Sequence, residues 1–572
     1  MLTREQQSHV HTLGIIVEHN VEAAMRDGTI LRANVFRPDD GNRYPGLLTR
    51  TPYCKDQEGL GLARYAAYVR AGYAVVVQDS RGRYESDGEF IPQYVSKTGD
   101  AEDGYDSVEW LAARDYCDGN VGVVGHSYNA WMNWVLARLQ PPHLKAMANT
   151  ACPFEWDKLD YPGGFKPGRR LHWLTCHMAP DMRRRQGLPG PHTYDEADRQ
   201  WQELEHGRLL HMLPYGRLPE LLPPGLREYV AEWMRDPASR HFRFDESHAH
   251  VTVPNLDFTG WFDHCISTIS HLTTLQQIGA TETARQDSKV VIGPWNHGGF
   301  GKRELGEFDF GPGASFDHQQ QIIRWFDHWL KGMDNGADAA PPVRFFVMGA
   351  GKWRTAEHWP PGRYTDVEYY LDAEGENGRG LGLCHGKRPG DSSEAGYTFD
   401  PLDPVPTLWS RNLYSEPGNR RRLDHRRDIL RYRTPQLTES REVAGDPRAV
   451  LFISCSTPDT DLFARLVDEP PAGPALEVAY GMVRARHRNG LDREELLAPG
   501  EIVEVEIELN PTANRFLPGH RIRLEITSSD FPAHDRNHNT GANDFFDAEL
   551  QSAEITIHHG RERPSRLILP VR

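Results

Sequence analysis

Short apolar runs alternate with amphipathic stretches through the first third of the chain. Residues 72–79 and 121–125 are almost wholly apolar, as expected for parallel strands that are covered on both faces. Residues 60–71 and 103–114 place apolar side chains at helical spacing. Further strands are predicted over 29–36 and 46–50. Alternation of this kind predicts a doubly wound α/β domain.

The strand pattern disappears between residues 146 and 245. This region is rich in Trp, Arg, Pro and Leu, and residues 195–211 and 226–234 show helical spacing. Strand patterns return at 251–260 and 289–293, and an amphipathic helix is predicted over 319–331. We therefore predict an α/β catalytic domain formed by residues 1–145 and 246–350, interrupted by a helical cap over 146–245.

The pattern changes again beyond residue 350. Short strand-like runs, such as 367–371, 449–453 and 502–507, are separated by Gly, Pro, Asn and Asp. Even spacing of short strands with turn residues between them is typical of antiparallel sandwiches. Residues 351–572 are therefore predicted to form a C-terminal β-sandwich.

Charge and hydropathy narrow the range of partners. The 572 residues carry a formal net charge of -16, which argues against a nucleic acid or an anionic membrane as the partner. The arginine runs 183–185 and 420–422 are interpreted as solvated surface. No run of about 18 apolar residues is present, so no membrane span is expected.

The seven cysteines do not form a recognisable framework. Their number is odd, their spacings are wide and no CxxC pair occurs, which argues against both disulfides and a structural zinc site. The first residues lack the apolar stretch of a secretory signal. A cytoplasmic protein with reduced thiols is expected. The oligomeric state is left open, a homodimer being one option.

The segment 121–130 carries the strongest chemical signal in the chain. A buried strand ends at Gly125, a tight turn holds Ser127, and a helix pattern resumes at Ala130. This is the context of a nucleophile elbow, in which small residues must flank the serine. Asn129 breaks the literal GxSxG pattern, although Asn tolerates unusual backbone angles. The alternative is an ordinary strand–turn–helix with Ser127 as the helix N-cap.

A nucleophilic serine needs a base and an acid that orients the base. On α/β sheets of this kind the order along the chain is Ser, then Asp or Glu, then His. Asp263 follows the predicted strand 251–260, and His297 follows the predicted strand 289–293. Because one helix pattern separates them, both residues are expected at the sheet edge that holds Ser127.

Three competitors remain for the acid and the base. Asp257 lies within a predicted strand, His264 begins the next helix, and His318 lies in a loop before a helix. Each is interpreted as structural. His126, beside the serine, is interpreted as a packed neighbour.

Motifs along nearly the whole chain resemble those of the cocaine esterase / Xaa-Pro dipeptidyl-peptidase (CocE/NonD) family of serine hydrolases. Several of these motifs, taken singly, are weak indicators of the family. Their occurrence together and in the same order is specific to it. They are the opening hairpin 26–38, the segment 51–55, the stretches 72–83 and 86–90, residues 102–106 with Trp110, the elbow 125–130 with Ala130 in place of glycine, the acid motif 260–263, the histidine motif 293–297, and the late segment 535–541.

The resemblance implies a catalytic triad of Ser127, Asp263 and His297. It also implies that the Tyr53 hydroxyl and the backbone N–H of Tyr128 form the oxyanion hole, which is physically sensible because both groups donate hydrogen bonds. The implied architecture is an α/β-hydrolase core, a helical cap after the sixth strand, and a jelly-roll-like, galactose-binding-like C-terminal domain. No metal or organic cofactor is required.

The substrate is the least determined feature of the sequence. Aromatic residues of the cap and of the acid motif are candidates for contacting the acyl group of a small-molecule ester or amide, although they also suit simple packing; these residues are Trp156, Tyr161, Trp173 and Phe262. Arg169, Arg170 and the run 183–185 are able to attract a carboxylate, but surface solvation is the preferred interpretation.

Three hypotheses follow from the sequence. The favoured one is a carboxylic ester hydrolase that works through an acyl-enzyme. The second is an amidase or an Xaa-Pro dipeptidyl-peptidase on the same triad, which would need acidic groups to bind a free α-amino group. The third is a catalytically inert protein whose C-terminal sandwich binds carbohydrate.

Overall fold

The computed structural model of the protein describes residues 14–56, 62–92, 99–205, 209–235, 247–386, 390 and 393–572. Within these ranges the first half of the chain builds an α/β domain. Its strands are β1 (Ile15–Ala24), β2 (Ile30–Pro38), β3 (Tyr44–Thr51), β4 (Ala74–Asp79), β5 (Cys117–His126), β6 (Leu144–Thr150), β7 (Asn255–Gly260), β8 (Lys289–Gly293), the small hairpin β9 (Glu304–Leu305) and β10 (Phe308–Asp309), β11 (Val343–Val347) and β12 (Lys352–Ala356).

Ten of these strands form one sheet, in the order β1-β2-β4-β3-β5-β6-β7-β8-β11-β12. The strands from β4 to β11 in this order pair in parallel, and the flanking strands β1, β2 and β12 pair antiparallel. The carboxyl ends of β5, β7 and β8 therefore lie along one edge. The sheet runs through β12, which lies beyond the boundary predicted at residue 350.

Helices cover both faces of this sheet and form the cap. They are α1 (Leu62–Arg70), α2 (Asp100–Ala112), α3 (Tyr128–Ala137), α4 (Trp156–Leu159), α5 (Gly168–His172), α6 (Ala179–Gln186), α7 (Tyr194–Gln200), α8 (Leu226–Arg235), α9 (Thr268–Ile278), α10 (Glu282–Gln286) and α11 (His318–Lys331). Apolar side chains of α2 and α3 belong to one core, whereas those of α1 and α11 belong to another. Two core layers on opposite faces explain why the central strands are apolar throughout.

The cap lies between β6 and β7 and is largely helical. A π-helical turn, Trp173–Met178, joins α5 to α6, and a second one, Trp201–Glu205, follows α7. Where a single helix was predicted over 195–211, the described residues form α7 and the π-helical turn that ends at Glu205. The strand predicted from residue 251 begins only at Asn255, because Pro254 has no N–H to contribute to a ladder.

The last part of the described chain is rich in β-structure. Its strands are β13 (Thr365–Asp372), β14 (Leu381–His385), β15 (Ser393–Phe399), β16 (Leu430–Arg433), β17 (Arg441–Gly445), β18 (Arg448–Cys455), β19 (Asp461–Glu469), β20 (Leu476–Arg484), β21 (Val503–Glu508), β22 (Thr512–Phe516), β23 (Arg521–Thr527), β24 (Ala553–His559) and β25 (Arg566–Val571). Nearly all neighbouring pairs are antiparallel. The cap contacts this domain through Trp201, whose indole N–H donates to the Arg411 carbonyl at 3.0 Å.

Among the described helices, none combines the length and the apolar character that crossing a bilayer requires. All seven cysteines lie within the described residues, and no disulfide joins any of them.

Candidate active site

Ser127 occupies the turn between strand β5 and helix α3. Its backbone angles, φ 58° and ψ -123°, are strained for a residue with a side chain, and its amide donates to the Thr150 carbonyl at 2.9 Å. A Cβ atom added at Gly125 would lie 2.5 Å from the backbone nitrogen of Ala130, so only glycine fits there. The turn thus has the backbone strain and the crowding of a nucleophile elbow.

His297 and Asp263 are hydrogen-bonded to each other at the ends of neighbouring strands. The distance from His297 Nδ1 to Asp263 Oδ1 is 3.0 Å, and Asp263 is buried. The same carboxylate oxygen accepts from the backbone N–H of Cys265 at 2.9 Å. Because a carboxylate oxygen accepts hydrogen bonds, Nδ1 is assigned as the donor in this contact, which leaves Nε2 as the ring nitrogen able to accept.

A cavity of about 450 Å³ is lined by both Ser127 and His297. It lies under the cap, at the carboxyl edge of the sheet, and its lining is mostly aromatic and cationic. The described residues that line it are Tyr53, Tyr84, His126, Ser127, Pro153, Leu159, Arg169, Arg170, His172, Trp173, His177, Tyr194, His264, Asn296, His297, Gly298, Asn412 and Tyr414.

Tyr53 reaches this cavity from the loop after strand β3. The indole N–H of Trp173 donates to its hydroxyl oxygen at 2.9 Å, so this contact uses an oxygen lone pair and not the phenol proton. The loop is held by Arg83, whose Nε donates to the Pro52 carbonyl at 2.8 Å. It is also held by the buried ion pair between Lys55 Nζ and Asp79, at 3.0 Å.

Tyr128 begins helix α3 directly after Ser127. Its ring is buried and stacks on Trp173, with ring centroids 6.2 Å apart. Its backbone N–H belongs to the first turn of the helix, where amide groups lack an intrahelical acceptor. A helix N-terminus of this kind favours negative charge in its vicinity.

Two family models cover most of the chain. Residues 27–299 match the X-Pro dipeptidyl-peptidase (S15 family) model, and residues 335–568 match the X-Pro dipeptidyl-peptidase C-terminal non-catalytic domain. The cocaine esterase of Rhodococcus sp. (strain MB1 Bresler) is 33% identical over 582 residues, covering 97% of this chain and 98% of the esterase. The chain belongs to the S15 family. The resemblance to the CocE/NonD group drawn from its motifs is confirmed.

Solved structures establish the fold of this S15 protein. An aminopeptidase from the marine sediment archaeon Thaumarchaeota archaeon superposes with a TM-score of 0.82 at 24% identity, covering 98% of this chain and 96% of that one. An alpha-amino acid ester hydrolase gives a TM-score of 0.81 at 23% identity, covering 98% and 97%. The predicted α/β-hydrolase class with a β-rich C-terminal domain is confirmed. Membership of this family makes the protein a serine hydrolase of esters or peptides. The predicted enzyme class is therefore confirmed.

Of the residues proposed from the sequence for contact with the acyl group, Trp173 lines the cavity of this S15 hydrolase. Tyr161 lies elsewhere, because its hydroxyl bonds His487 Nε2 of the C-terminal domain at 3.0 Å. Phe262 is buried against Phe310, with ring centroids 5.8 Å apart. The side chain of Trp156 lies outside the described part of the structure. The sequence pattern showed that these residues were aromatic but not which way each one faced.

The three competitors for acid and base occupy different positions. Asp257 is buried inside β7 and is absent from the described lining. His318 Nε2 bonds the Thr150 hydroxyl at 2.9 Å. His264 does line the cavity, and its Nδ1 lies 3.5 Å from Asp263 Oδ1, a longer approach than that of His297. His297 is therefore the better-placed partner of Asp263.

Burial of Asp257 has a consequence that can be measured. Burial raises the pKa of this carboxyl to about 8, so the folded protein holds a proton that the unfolded chain releases near pH 4. Stability from this group is complete below about pH 4 and falls as the pH rises towards 8. We expect Asp257→Asn, which cannot ionise, to raise the melting temperature relative to wild type at pH 8 more than at pH 5. An equal difference at both pH values would contradict the buried neutral acid.

Two arginines correct the sequence interpretation. Arg169 and Arg170 were expected to be solvated, yet they are 7% and 3% exposed and both line the cavity. The cap folds over the sheet edge and encloses them, and the Arg170 guanidinium stacks 4.1 Å above the Trp173 ring. Tyr414 was not anticipated at all; it enters from the C-terminal domain and stacks on His297, with ring centroids 5.7 Å apart.

Four side chains of types that can bind a metal ion lie close together around Asp263 and His297. Ligand atoms of Asp263, His264, Cys265 and His297 lie within 4.8 Å of one another. His297 Nδ1 and the backbone N–H of Cys265 both approach Asp263 Oδ1, at 3.0 Å and 2.9 Å, so this oxygen already has two hydrogen-bond partners. The cluster therefore fits a hydrogen-bonded acid and base better than a metal centre.

Proposed function

We propose that this S15 hydrolase cleaves carboxylic esters through an acyl-enzyme on Ser127, with His297 as base and Asp263 as the residue that orients it. One observation carries the proposal: Ser127 at a strained elbow lines the same cavity as His297, whose Nδ1 is bound by a buried carboxylate. Serine alone is a poor nucleophile, and this arrangement supplies the base that activates it.

The steps follow from the geometry. His297 Nε2 removes the Ser127 proton while Oγ attacks the acyl carbon, and Asp263 stabilises the imidazolium that forms. The imidazolium then protonates the leaving alcohol, which departs and leaves an acyl-enzyme. Water, activated by the same imidazole, attacks the acyl carbon, and the proton returns to Ser127 as the acid is released.

Tyr53 and the backbone N–H of Tyr128 are proposed to stabilise the oxyanion. The Tyr53 hydroxyl accepts from the Trp173 indole at 2.9 Å, which polarises the phenol O–H as a donor towards a developing negative charge.

We expect Tyr53→Phe to lower kcat by about 10²–10³-fold with a small change in KM, because an oxyanion donor acts mainly in the transition state. Steady-state kinetics on a phenyl ester measures both constants. Tyr161→Phe is the matched control, since Tyr161 also lies in the cap region but bonds His487 away from the cavity. Equal losses in the two variants would assign Tyr53 a structural role.

Ester chemistry is favoured over aminopeptidase chemistry by the charges of the cavity. A free α-amino group is cationic and needs carboxylates, yet the described lining residues include no Asp or Glu and include two arginines. The test is a comparison of kcat/KM on an acyl ester, its anilide, and a dipeptidyl anilide with a free amino group. Faster turnover of either anilide would favour the amidase or dipeptidyl-peptidase alternative.

An active-site-directed fluorophosphonate separates an enzyme from an inert binding protein. Covalent labelling of Ser127, located by mass spectrometry of the digested protein, is the expected result. Label on any other serine, or none, would remove the basis of the triad.

The remaining sequence predictions stand as proposals. We propose that residues 1–145 and 246–350 form the catalytic domain, that 146–245 form the cap, and that 351–572 form a jelly-roll-like sandwich that closes the active-site side. A small-molecule substrate, a cytoplasmic location and a homodimer are proposed with it. The net charge of -16 supports the absence of a nucleic-acid partner.

A further inference from the structure

Arg169 and Arg170 place two guanidinium groups inside the wall of the candidate active site. Both residues belong to helix α5 of the cap, and both line the cavity that contains Ser127 and His297. Guanidinium groups are almost never buried without a partner, because the charge loses its hydration. The groups that contact Arg169 and Arg170 within the protein therefore indicate which kind of ligand these arginines would bind.

Among the ion pairs of the described residues, Asp160 pairs with both Arg169 and Arg170. Its oxygens lie 3.5 Å from Arg169 Nη2 and 3.4 Å from Arg170 Nε. These distances exceed the roughly 2.8 Å of a strong charge-assisted hydrogen bond. Arg169 also donates to the Leu159 carbonyl and Arg170 to the Tyr229 hydroxyl, and both of these acceptors are neutral. In these ion pairs a single carboxylate is therefore shared by the two guanidinium groups.

The rest of the described lining brings no negative charge to the two guanidinium groups. It contains no Asp or Glu, and the buried Asp263 is engaged by His297. Burial lowers the pKa of His126 and of His177 to about 3, so these imidazoles are neutral near pH 7. The positive charge of the cavity therefore resides on the arginines, which stay protonated at any relevant pH.

The arginines lie close to the reacting centre. The Arg170 guanidinium stacks on the Trp173 ring at 4.1 Å, and the same indole donates to the hydroxyl of Tyr53 at 2.9 Å. A single indole ring thus separates a cation from the proposed oxyanion donor. A group bound to the arginines would be only a few bonds from the scissile ester.

We propose that Arg169 and Arg170 form a carboxylate-binding subsite, so that the preferred substrates are esters that carry an anionic group a few bonds from the scissile carbonyl. The inference rests on the proposed function, since it requires Ser127 to be the nucleophile. The carboxylate belongs either to the acyl group, as in a monoester of a dicarboxylic acid, or to the leaving alcohol. The recognition chemistry is the same in both cases.

The first test uses the wild-type protein and matched substrates. Phenyl hydrogen adipate, phenyl methyl adipate and phenyl 6-aminohexanoate differ mainly in charge at the end of the acyl chain. 4-Acetoxybenzoate and its methyl ester place the same difference on the leaving group. We expect kcat/KM to be at least about tenfold higher for the anionic member of one series, the gain of one charge-assisted hydrogen bond. The series that shows the preference identifies the side that carries the carboxylate.

The second test asks whether the arginines cause the preference. Arg169→Gln and Arg170→Gln should each move the anionic-to-neutral ratio of kcat/KM towards one. Arg183→Gln is the matched control, because it removes the same charge from the cap while its side chain bonds the Leu221 carbonyl outside the cavity lining. It should leave the ratio unchanged.

Failure of this inference is distinguishable from failure of the proposed function. If Ser127 reacts with a fluorophosphonate and neutral esters turn over, but neither anionic substrate is preferred by the wild type, the subsite is wrong and the triad stands. If Ser127 is not labelled and no ester turns over, the triad itself is wrong. The wild-type panel gives this answer even if the arginine variants fold poorly.

Discussion

Replacing Ser127 by alanine is expected to reduce ester turnover on the order of 10⁴–10⁶-fold while leaving the fold intact. The loss is large because the acyl-enzyme cannot form without Oγ. Alanine fits the site sterically, although the strained φ of 58° remains. Stopped assays with high enzyme concentration are needed, since residual catalysis from substrate binding and the oxyanion donors is expected.

Two controls make this result specific. Ser315→Ala, in the loop before helix α11, should keep wild-type turnover because Ser315 is absent from the described lining of the cavity. Circular dichroism and the melting temperature should be unchanged in Ser127→Ala within a few degrees. Turnover that survives at the wild-type rate in a folded Ser127→Ala protein would refute the nucleophile.

The elbow was predictable because its determinants are local. An apolar strand, the small residue Gly125 and the onset of a helix are all visible within ten residues, and the strain at Ser127 follows from that turn. The order of Asp263 and His297 was predictable for a related reason: parallel strands bring their carboxyl ends to one edge.

The walls of the cavity were not predictable in the same way. Trp173, Arg170 and Tyr414 approach the serine from the cap and from the C-terminal domain, and the positions of these segments depend on packing between residues far apart in the chain. Arginine patterns look alike in a solvated helix and in an enclosed one, so burial of Arg169 and Arg170 had no local signal.

Tyr53 is intermediate in predictability between the elbow and the cavity walls. Its segment shows no pattern that would distinguish it from any loop tyrosine, and its predicted role came from family resemblance alone. The structure adds physical detail: the Arg83 contact with the Pro52 carbonyl fixes the loop, and the Trp173 indole approaches the hydroxyl. A role as oxyanion donor would then depend on the cap as well as on the sheet.

Asp263→Asn is expected to lower kcat by about 10⁴-fold, the second largest effect in this protein. The Asp263 carboxylate accepts a hydrogen bond from the N–H at His297 Nδ1, but an amide in its place can present N–H groups to the ring. The imidazole would then favour the tautomer with its proton on Nε2, which cannot accept the proton of Ser127. Part of the lost rate should return at high pH if deprotonation of Ser127 by hydroxide replaces the base.

Asp257→Asn is the matched comparison for this variant, because both acids are buried and belong to the same βα unit. Asp257 is already neutral in the folded protein near pH 7, so the amide replaces a group of equal charge and shape, and kcat should change little. The pair therefore separates loss of the orienting charge from disturbance of the strand. Parallel pH–rate profiles of the two variants provide the measurement, and similar losses in kcat would show that His297 is oriented by something other than the Asp263 carboxylate.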